Sequence, residues 1–252
     1  MEHDCHKAPA LSAAGSLRRR AAIAFGCIAV TISIFVTGCS QSRYLRQALT
    51  PSYVPSNVFT EEPNLPANLR RVALLPSGAI SDSAEMAFGL ESMEPALRAA
   101  LARVRTFELV PVSRDELRLL TGRSDWRPDD KLPPDLFDKL KEKLAVDAVL
   151  FSTLTAYRAY EPIAIGWRIK LIDADEPHII WAVDEIFDAR VPEVAAAAVR
   201  HAEHHRESAS SLEESRSVLT SVRRFGHYAA SAVVGTMPGR NPVTADKSAS
   251  DP

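Results

Sequence analysis

The fold of this chain is decided by residues 148–189, which read AVLFSTLTAYRAYEPIAIGWRIKLIDADEPHIIWAVDEIFDA. The stretch opens on a continuous apolar run at 148–151, of the kind found in a central strand that is covered on both faces. In 163–171, Ile, Trp and Leu alternate with Ala, Gly, Arg and Lys, which predicts a strand with one buried and one wetter face. A turn at 173–177 leads into a further strand at 179–187. Three consecutive strands without an intervening helix predict an antiparallel meander.

Two strand–helix units precede the meander. The apolar run 71–75, which Pro76 stops, predicts a buried strand, and 107–112 predicts a second one. Between them, apolar residues recur at spacings of three and four and define one helical face: Met86, Leu90, Met93, Leu97, Leu101 and Val104. Pro95 interrupts this face, so the helix either begins near Ser92 or is kinked at the proline.

Two shorter helices are predicted before residue 148. Ser113 and Glu116 have the spacing of a capping box, and Gly122 supplies the stop of the first helix. The second helix is indicated by its apolar face: Leu136, Phe137, Leu140 and Leu144. Trp126 stands alone in the polar loop between the two helices. We expect it to cover the domain's own core, although a contact with a partner is the alternative.

These elements predict one α/β domain over residues 70–190. Its fold class is a mixed sheet of about five strands, in the order β-α-β-α-α-β-β-β, with packed helices. Two C-terminal helices are predicted within 191–237. The remainder, 238–252, is polar without an apolar period and is predicted to be disordered.

The N-terminus has the features of a secretory leader. An uncharged apolar run of sixteen residues, 21–36, follows three arginines at 18–20 and is shorter than the roughly 18 residues that mark a spanning helix. It ends in Val-Thr-Gly-Cys at 36–39, which resembles the lipobox of bacterial lipoproteins. The resemblance implies that 1–38 is a signal peptide and that Cys39 becomes the acylated first residue. An ordinary buried helix with a chance thiol is the alternative.

The composition of the mature chain restricts its partners. It keeps 26 of the 30 Lys and Arg residues and 30 of the 32 Asp and Glu residues, which gives a formal charge of −4. Nucleic acid is therefore not an expected partner, because binding to a phosphate backbone depends on clustered cations. Cys5 and Cys27 leave with the leader, so only Cys39 remains and no disulfide framework is available.

Residues 39–69 are predicted to be a flexible tether. They contain Pro51, Pro55, Pro63 and Pro66 among small polar residues and show no sustained apolar period. Roughly thirty such residues reach on the order of 90 Å at about 3.1 Å each. The domain is therefore expected to stand well away from its anchor.

Two segments resemble a group of envelope proteins: the curli-secretion lipoproteins, the lipoprotein activators of penicillin-binding proteins, and the amino-terminal domain of TolB. The segments are Val-Ala-Leu-Leu-Pro at 72–76 and Leu-Ala-Val-Asp-Ala-Val-Leu at 144–150. The chain departs from the group at Ser77, Ala145 and Ser152, where Phe, Gly and Gly are usual. The resemblance implies scaffolding, regulatory or secretion roles through protein contacts, without catalytic residues.

Three groups of side chains are candidates for chemistry: the pair His201 and His205, the carboxylates Asp173, Asp175 and Glu176, and the cationic cluster Arg223, Arg224, His227 and Tyr228. The histidine pair has a workable zinc spacing, but the nearby Glu is misplaced for a metalloprotease motif, so a solvated helix face is favoured. The carboxylates lack the other ligands of a calcium loop and are better explained by a hairpin turn. The cationic cluster is expected to be a wet helix face rather than a lipid or glycan site.

No nucleophile elbow, P-loop or dinucleotide fingerprint occurs in the sequence. We therefore expect no catalytic residue, no cofactor, no metal ligand and no enzyme activity. The leading hypothesis is a lipoprotein, anchored at the periplasmic face of the outer membrane, that acts in envelope assembly or regulation through protein contacts. The outer membrane is suggested by Ser40, which follows Cys39 where an Asp would retain an enteric lipoprotein at the inner membrane. The alternative is a subunit of a secretion pore, and a second copy of the chain is a further candidate partner.

Overall fold

The computed structural model describes residues 53–127, 129–204 and 217–239. Its strands are β1 (Val58–Thr60), β2 (Arg71–Leu74), β3 (Gly78–Ala79), β4 (Glu108–Pro111), β5 (Ala148–Arg158), β6 (Ala164–Asp173) and β7 (Ile179–Asp188). Its helices are α1 (Ala84–Ala102), α2 (Arg114–Thr121), α3 (Leu136–Leu144), α4 (Pro192–His204) and α5 (Val222–Val234), with a 3₁₀ turn at Ser217–Leu219.

The strands form one mixed sheet in the order β1-β7-β6-β5-β2-β4, and β3 pairs with β5 beyond the end of β2. β4, β2 and β5 are parallel, whereas β5, β6, β7 and β1 are antiparallel. The predicted α/β class, the order of the main elements and the C-terminal helices are confirmed. The sheet has seven strands rather than about five, because β1 and β3 have three and two residues and are too short to show a period.

The helices divide between the two faces of the sheet. α1, α4 and α5 pack on one face in a large apolar cluster whose members include Trp167, Trp181, Phe187 and Phe225. α2 and α3 pack on the other face in a smaller cluster whose members include Leu117, Leu136, Leu140, Val149 and Phe151. Trp126 is buried in the smaller cluster, and its Nε1 donates to Thr121 Oγ1 at 2.8 Å. The prediction that Trp126 covers the domain's own core is confirmed.

The helix ends follow local capping chemistry. In α1, the hydroxyl of Ser83 accepts the amide of Met86, so the helix begins at Ala84, eight residues before Ser92. The alternative of a start near Ser92 is wrong, and Pro95 lies inside the helix. In α2, the predicted cap is confirmed, since Ser113 Oγ accepts the backbone amide three residues on and a left-handed glycine ends the helix.

Residues 53–69, which we call the strap, belong to the folded domain. β1 pairs with β7, Leu65 and Leu69 are buried, and the Leu65 amide donates to the carbonyl of Gly239 at 2.9 Å. The prediction of a tether over 39–69 is therefore wrong for residues 53–69, and the domain begins before residue 70. Prolines prevent an internal period in the strap, but they do not prevent it from docking on an existing sheet edge.

Candidate functional site

One face of the sheet is only half covered by helices in the described part of the chain. α2 and α3 pack over its β2 and β5 side, while the side chains that point the same way on β6, β7 and β1 have no helix above them. The cross-strand register places them on a common surface, since Phe59 lies opposite Ala182 and Arg168 lies opposite Asp184. We call this surface the open face; it consists of Phe59, Arg168, Lys170, Ala182, Asp184 and Ile186.

Charged side chains at the centre of the open face are bonded to one another. Arg168 donates from Nε to Asp184 Oδ2 at 2.8 Å and from Nη1 to Asp129 Oδ2 at 2.5 Å. Lys170 Nζ donates to Asp129 Oδ1 at 2.7 Å. The hydrogen bond from Lys170, assisted by Arg168, holds the pKa of Asp129 below its usual value. The bonds to Asp184 and Asp129 raise the pKa of Arg168.

Large apolar side chains flank the charged network. Phe59 and Ile186 are each 52% exposed, and the row that contains Arg168 and Asp184 lies between them along β7. A shallow depression of about 280 Å³ runs from Asn57 and Phe59 to the charged pair. Exposed apolar groups beside charged side chains that are already paired with one another are typical of a surface that binds another macromolecule.

A second depression lies at the carboxyl ends of β2 and β4, where open α/β sheets often bind ligands. Its volume is about 370 Å³, and its polar side chains are used within the domain. Glu94 accepts the amide of Ser77 at 3.3 Å and pairs with Arg98, while Arg114 donates to the Ser77 carbonyl at 3.0 Å. The Ser77 hydroxyl is bonded to Ser152 at 2.8 Å. We therefore assign these groups to the local structure of the strand ends.

The structure separates the residues that the sequence singled out for chemistry. Asp173 Oδ1 accepts the backbone amides of Asp175 and Glu176, so the predicted hairpin turn is confirmed. The His201 ring packs edge-on against Tyr228 at 5.7 Å, and His205 lies outside the described residues. Within 53–127, 129–204 and 217–239, no three His, Cys, Asp or Glu side chains are grouped to hold a metal ion.

The predicted cationic cluster on α5 divides between surface and core. Arg223, Arg224 and His227 are exposed, whereas Tyr228 is buried in the large apolar cluster, where burial raises its pKa. Cys39, the predicted lipidation site, and the apolar run 21–36 lie outside the described residues. In the part of the chain that the structure describes, no helix has both the length and the apolar character needed to cross a bilayer.

Sequence reasoning missed most of the open face. Phe59 lay in the predicted tether, and Asp129 lay in a loop without a period. The alternation at 163–171 did place Arg168 and Lys170 on the wetter side of their strand, which was the one usable signal. It showed that these side chains avoid the core, but not that a neighbouring strand would bring exposed apolar groups beside them.

The chain has neighbours among solved structures but no match among family models or curated sequences. Similar solved structures include the PelC dodecamer from Paraburkholderia phytofirmans, with 12% identity over 73% of this chain and 98% of that chain and a TM-score of 0.41. Lipoprotein GNA1162 from Neisseria meningitidis has 16% identity over 54% and 99%, with a TM-score of 0.39. The LpoB C-terminal domain from Escherichia coli has 20% identity over 47% and 82%, with a TM-score of 0.31. These neighbours include a bacterial lipoprotein, but TM-scores below 0.5 establish neither a common fold nor a common function.

Proposed function

We propose that this chain is a lipid-anchored protein of the bacterial envelope whose α/β domain binds a protein partner through the open face. Its anchor is Cys39, acylated after removal of residues 1–38, and its place is the periplasmic face of the outer membrane. The proposal assigns the chain no catalytic residue and no cofactor. A role in envelope assembly or regulation agrees with the resemblance in sequence to envelope lipoproteins. The pore-subunit alternative stays a prediction.

The observation that carries the binding role is the pair Phe59 and Ile186, both half exposed on either side of Arg168. Covering the exposed half of each of these side chains with a partner contributes about 0.8–1.5 kcal/mol through apolar burial, half the value for a side chain that is buried from full exposure. The charges between them are already paired within the domain, so covering them leaves no single ion without a counter-charge. A partner therefore needs an apolar surface with a polar rim that accommodates Arg168.

Photo-crosslinking in the host tests the open face. We expect the full-length chain with p-benzoylphenylalanine at position 59 or 186 to form an adduct with the same partner. The control position is 119, because Leu119 is 89% exposed but lies on α2, outside the open face. Phe59→Asp should remove the adduct formed from position 186, whereas Leu119→Asp should leave it. Equal adducts from all three positions, or none from 59 and 186, would contradict this binding role.

The anchor is tested separately by mass spectrometry of the chain purified from its host. We expect an N-terminus at Cys39 that carries a diacylglyceryl group. An intact Met1 together with an unmodified Cys39 thiol would show that the anchor has been assigned wrongly.

A further inference from the structure

Exposed apolar side chains collect at one end of the sheet. Arg158, Ala164 and Asp188 lie side by side in the last row of β5, β6 and β7 and define this end. Tyr160 lies in the loop between β5 and β6, and Val191 lies in the turn after β7. Both side chains are exposed. They therefore project from the same end of the domain.

α1 and β3 add two more side chains to this end. The Phe88 ring packs edge-on against Tyr157, one residue before the last row, with ring centroids 6.4 Å apart. The Ile80 amide donates to the carbonyl of Leu154 at 3.0 Å, which places Ile80 along the same final stretch of β5. Phe88 and Ile80 are also exposed.

The described chain begins at this same end. The Tyr53 ring lies 5.8 Å from the ring of Phe187, next to the last row of the sheet. From there the strap runs antiparallel to β7, so β1 leads away from this end. Val54, the neighbour of Tyr53, is exposed. We call the five side chains together the apolar end: Val54, Ile80, Phe88, Tyr160 and Val191. They are 41–84% exposed and make up five of the eight large exposed hydrophobic residues in the described part of the chain.

The folded strap shortens the connection to the predicted anchor. Cys39 precedes Tyr53 by only fourteen residues, which can span at most about 50 Å. The tether that the sequence predicted would have been about twice as long. Because the described chain enters the domain at the apolar end, this end is the point to which the predicted anchor is connected.

Two arginines at this end are paired with one carboxylate, while Glu161, beside Tyr160 in the β5–β6 loop, is exposed. Arg158 and Arg190 both donate to the carboxylate of Asp188, at 3.0 Å and 2.6 Å. Long arginine side chains at the rim of such a surface can keep their charged groups in water while their stems cover apolar area. Tyrosine is well suited to the level of lipid headgroups, because its ring is apolar and its hydroxyl remains wet.

We propose that the apolar end rests on the surface of the phospholipid bilayer that holds the anchor, an inference that itself rests on the proposed acylation of Cys39. The contact sets the orientation of the domain. The strands then point toward the membrane, and the open face, which runs along β6 and β7, faces sideways into the periplasm. A partner can reach it without displacing the domain from the bilayer.

Fluorescence quenching in vesicles tests the orientation with the full acylated chain. Tyr160→Cys and Phe88→Cys introduce a labelling site, since Cys39 is the only thiol of the mature chain and is blocked by acylation. Leu119→Cys is the matched control, because α2 begins beside the row of Leu74 and Leu150, far from the last row of β5. Each variant is labelled with a nitrobenzoxadiazole dye in vesicles of phosphatidylethanolamine and phosphatidylglycerol that contain a spin-labelled lipid.

We expect the dye at positions 160 and 88 to be quenched at least about threefold more strongly than the dye at position 119, as for side chains at the lipid interface. Flotation of the vesicles separates this inference from the proposed anchor. A chain that floats with the vesicles but shows equal quenching at all three positions overturns the orientation and leaves the anchor intact. A blue-shifted emission without quenching by the lipid means that another protein copy covers this end, and it likewise overturns the inference. A chain that does not float overturns the anchor and the orientation together.

Discussion

At the scale of single residues, Asp188 shows how the end of the sheet is held. Its carboxylate accepts hydrogen bonds from Arg190, through both the backbone and the guanidinium, and from Arg158 on the neighbouring hairpin. These bonds, led by the one from the Arg190 side chain, hold the pKa of Asp188 well below its usual range. The side chain is only 15% exposed, so these bonds are partly shielded from water.

The first prediction concerns Asp188→Asn. Without the substitution, the Asp188 carboxylate takes up a proton at a higher pH in the unfolded chain than in the folded one. The free energy of unfolding should therefore fall as the pH drops from about 4 toward about 2. The Asn variant should show a shallower dependence over this range, and at neutral pH it should be less stable by about 1–2 kcal/mol. Urea denaturation across the pH range measures both effects. Asp115→Asn is the control, because that side chain is 90% exposed and its nearest cationic atom, Arg118 Nη1, lies 3.9 Å away, too far for a hydrogen bond. If the free energy of unfolding changed equally with pH in the unsubstituted chain and in both variants, Asp188 would not be the source of this pH dependence.

At the scale of elements, one carboxylate adds to the backbone ladder that holds the strap to β7. Glu185 Oε2 accepts the amides of Ser56 at 2.8 Å and Asn57 at 3.3 Å, and the Asp184 amide donates to the carbonyl of Asn57 at 3.0 Å. Burial, together with the hydrogen bond to Glu185, raises the pKa of the Tyr53 hydroxyl. The three-residue β1 is therefore supported by side-chain bonds as well as by its ladder with β7.

The second prediction concerns Glu185→Ala. Removing the carboxylate leaves two strap amides without their acceptor, so the strap should open more often while the rest of the sheet stays folded. We expect hydrogen exchange to quicken by about tenfold for the amides of residues 56–61, which corresponds to about 1.4 kcal/mol. Amides of β5 should be unaffected. The control is Glu161→Ala, which removes an exposed carboxylate from the β5–β6 loop. Unchanged exchange in the strap would mean that β1 holds without Glu185.

At the scale of the whole molecule, one sheet serves two different purposes. Its first face is covered by α1, α4 and α5, and residues of the strap close the same apolar cluster. Among the residues that the structure describes, helices cover only one half of its second face, and the other half is the open face. The larger part of the buried core therefore lies on the first face, while half of the second face has no helix above it in the described part of the chain.

The third prediction compares two shortened chains. A chain that starts at residue 53 should unfold cooperatively, whereas a chain that starts at residue 70 should be strongly destabilised. The longer truncation removes Leu65 and Leu69, whose burial contributes about 3–6 kcal/mol together at about 1.5–3 kcal/mol each. That is a large part of the roughly 5–15 kcal/mol by which domains are stable. Thermal unfolding measures the difference. Equal midpoints would show that the strap is not part of the cooperative unit.

The elements that sequence could predict are those with a local cause. The meander of β5, β6 and β7 was predictable because each strand has about ten residues, enough for an alternation to show. The start and end of α2 were predictable because Ser113 and Gly122 act on backbone groups within a few residues. The start of α1 at Ala84 was not, because Pro95 left open either a start near Ser92 or a kinked helix, and the cap at Ser83 was not recognised.

The amino-acid sequence by itself determined the fold class, the long strands and the helices that cover them, because side-chain period and capping act over short distances along the chain. Only the tertiary structure decided that the strap is part of the domain, since Ser56 and its acceptor Glu185 are 129 residues apart. Only the tertiary structure, likewise, separated the exposed Phe59 and Ile186 from the many apolar residues that are buried. Whether a side chain is covered depends on which distant helices pack above it, and that information is not contained in the residues beside it in the sequence.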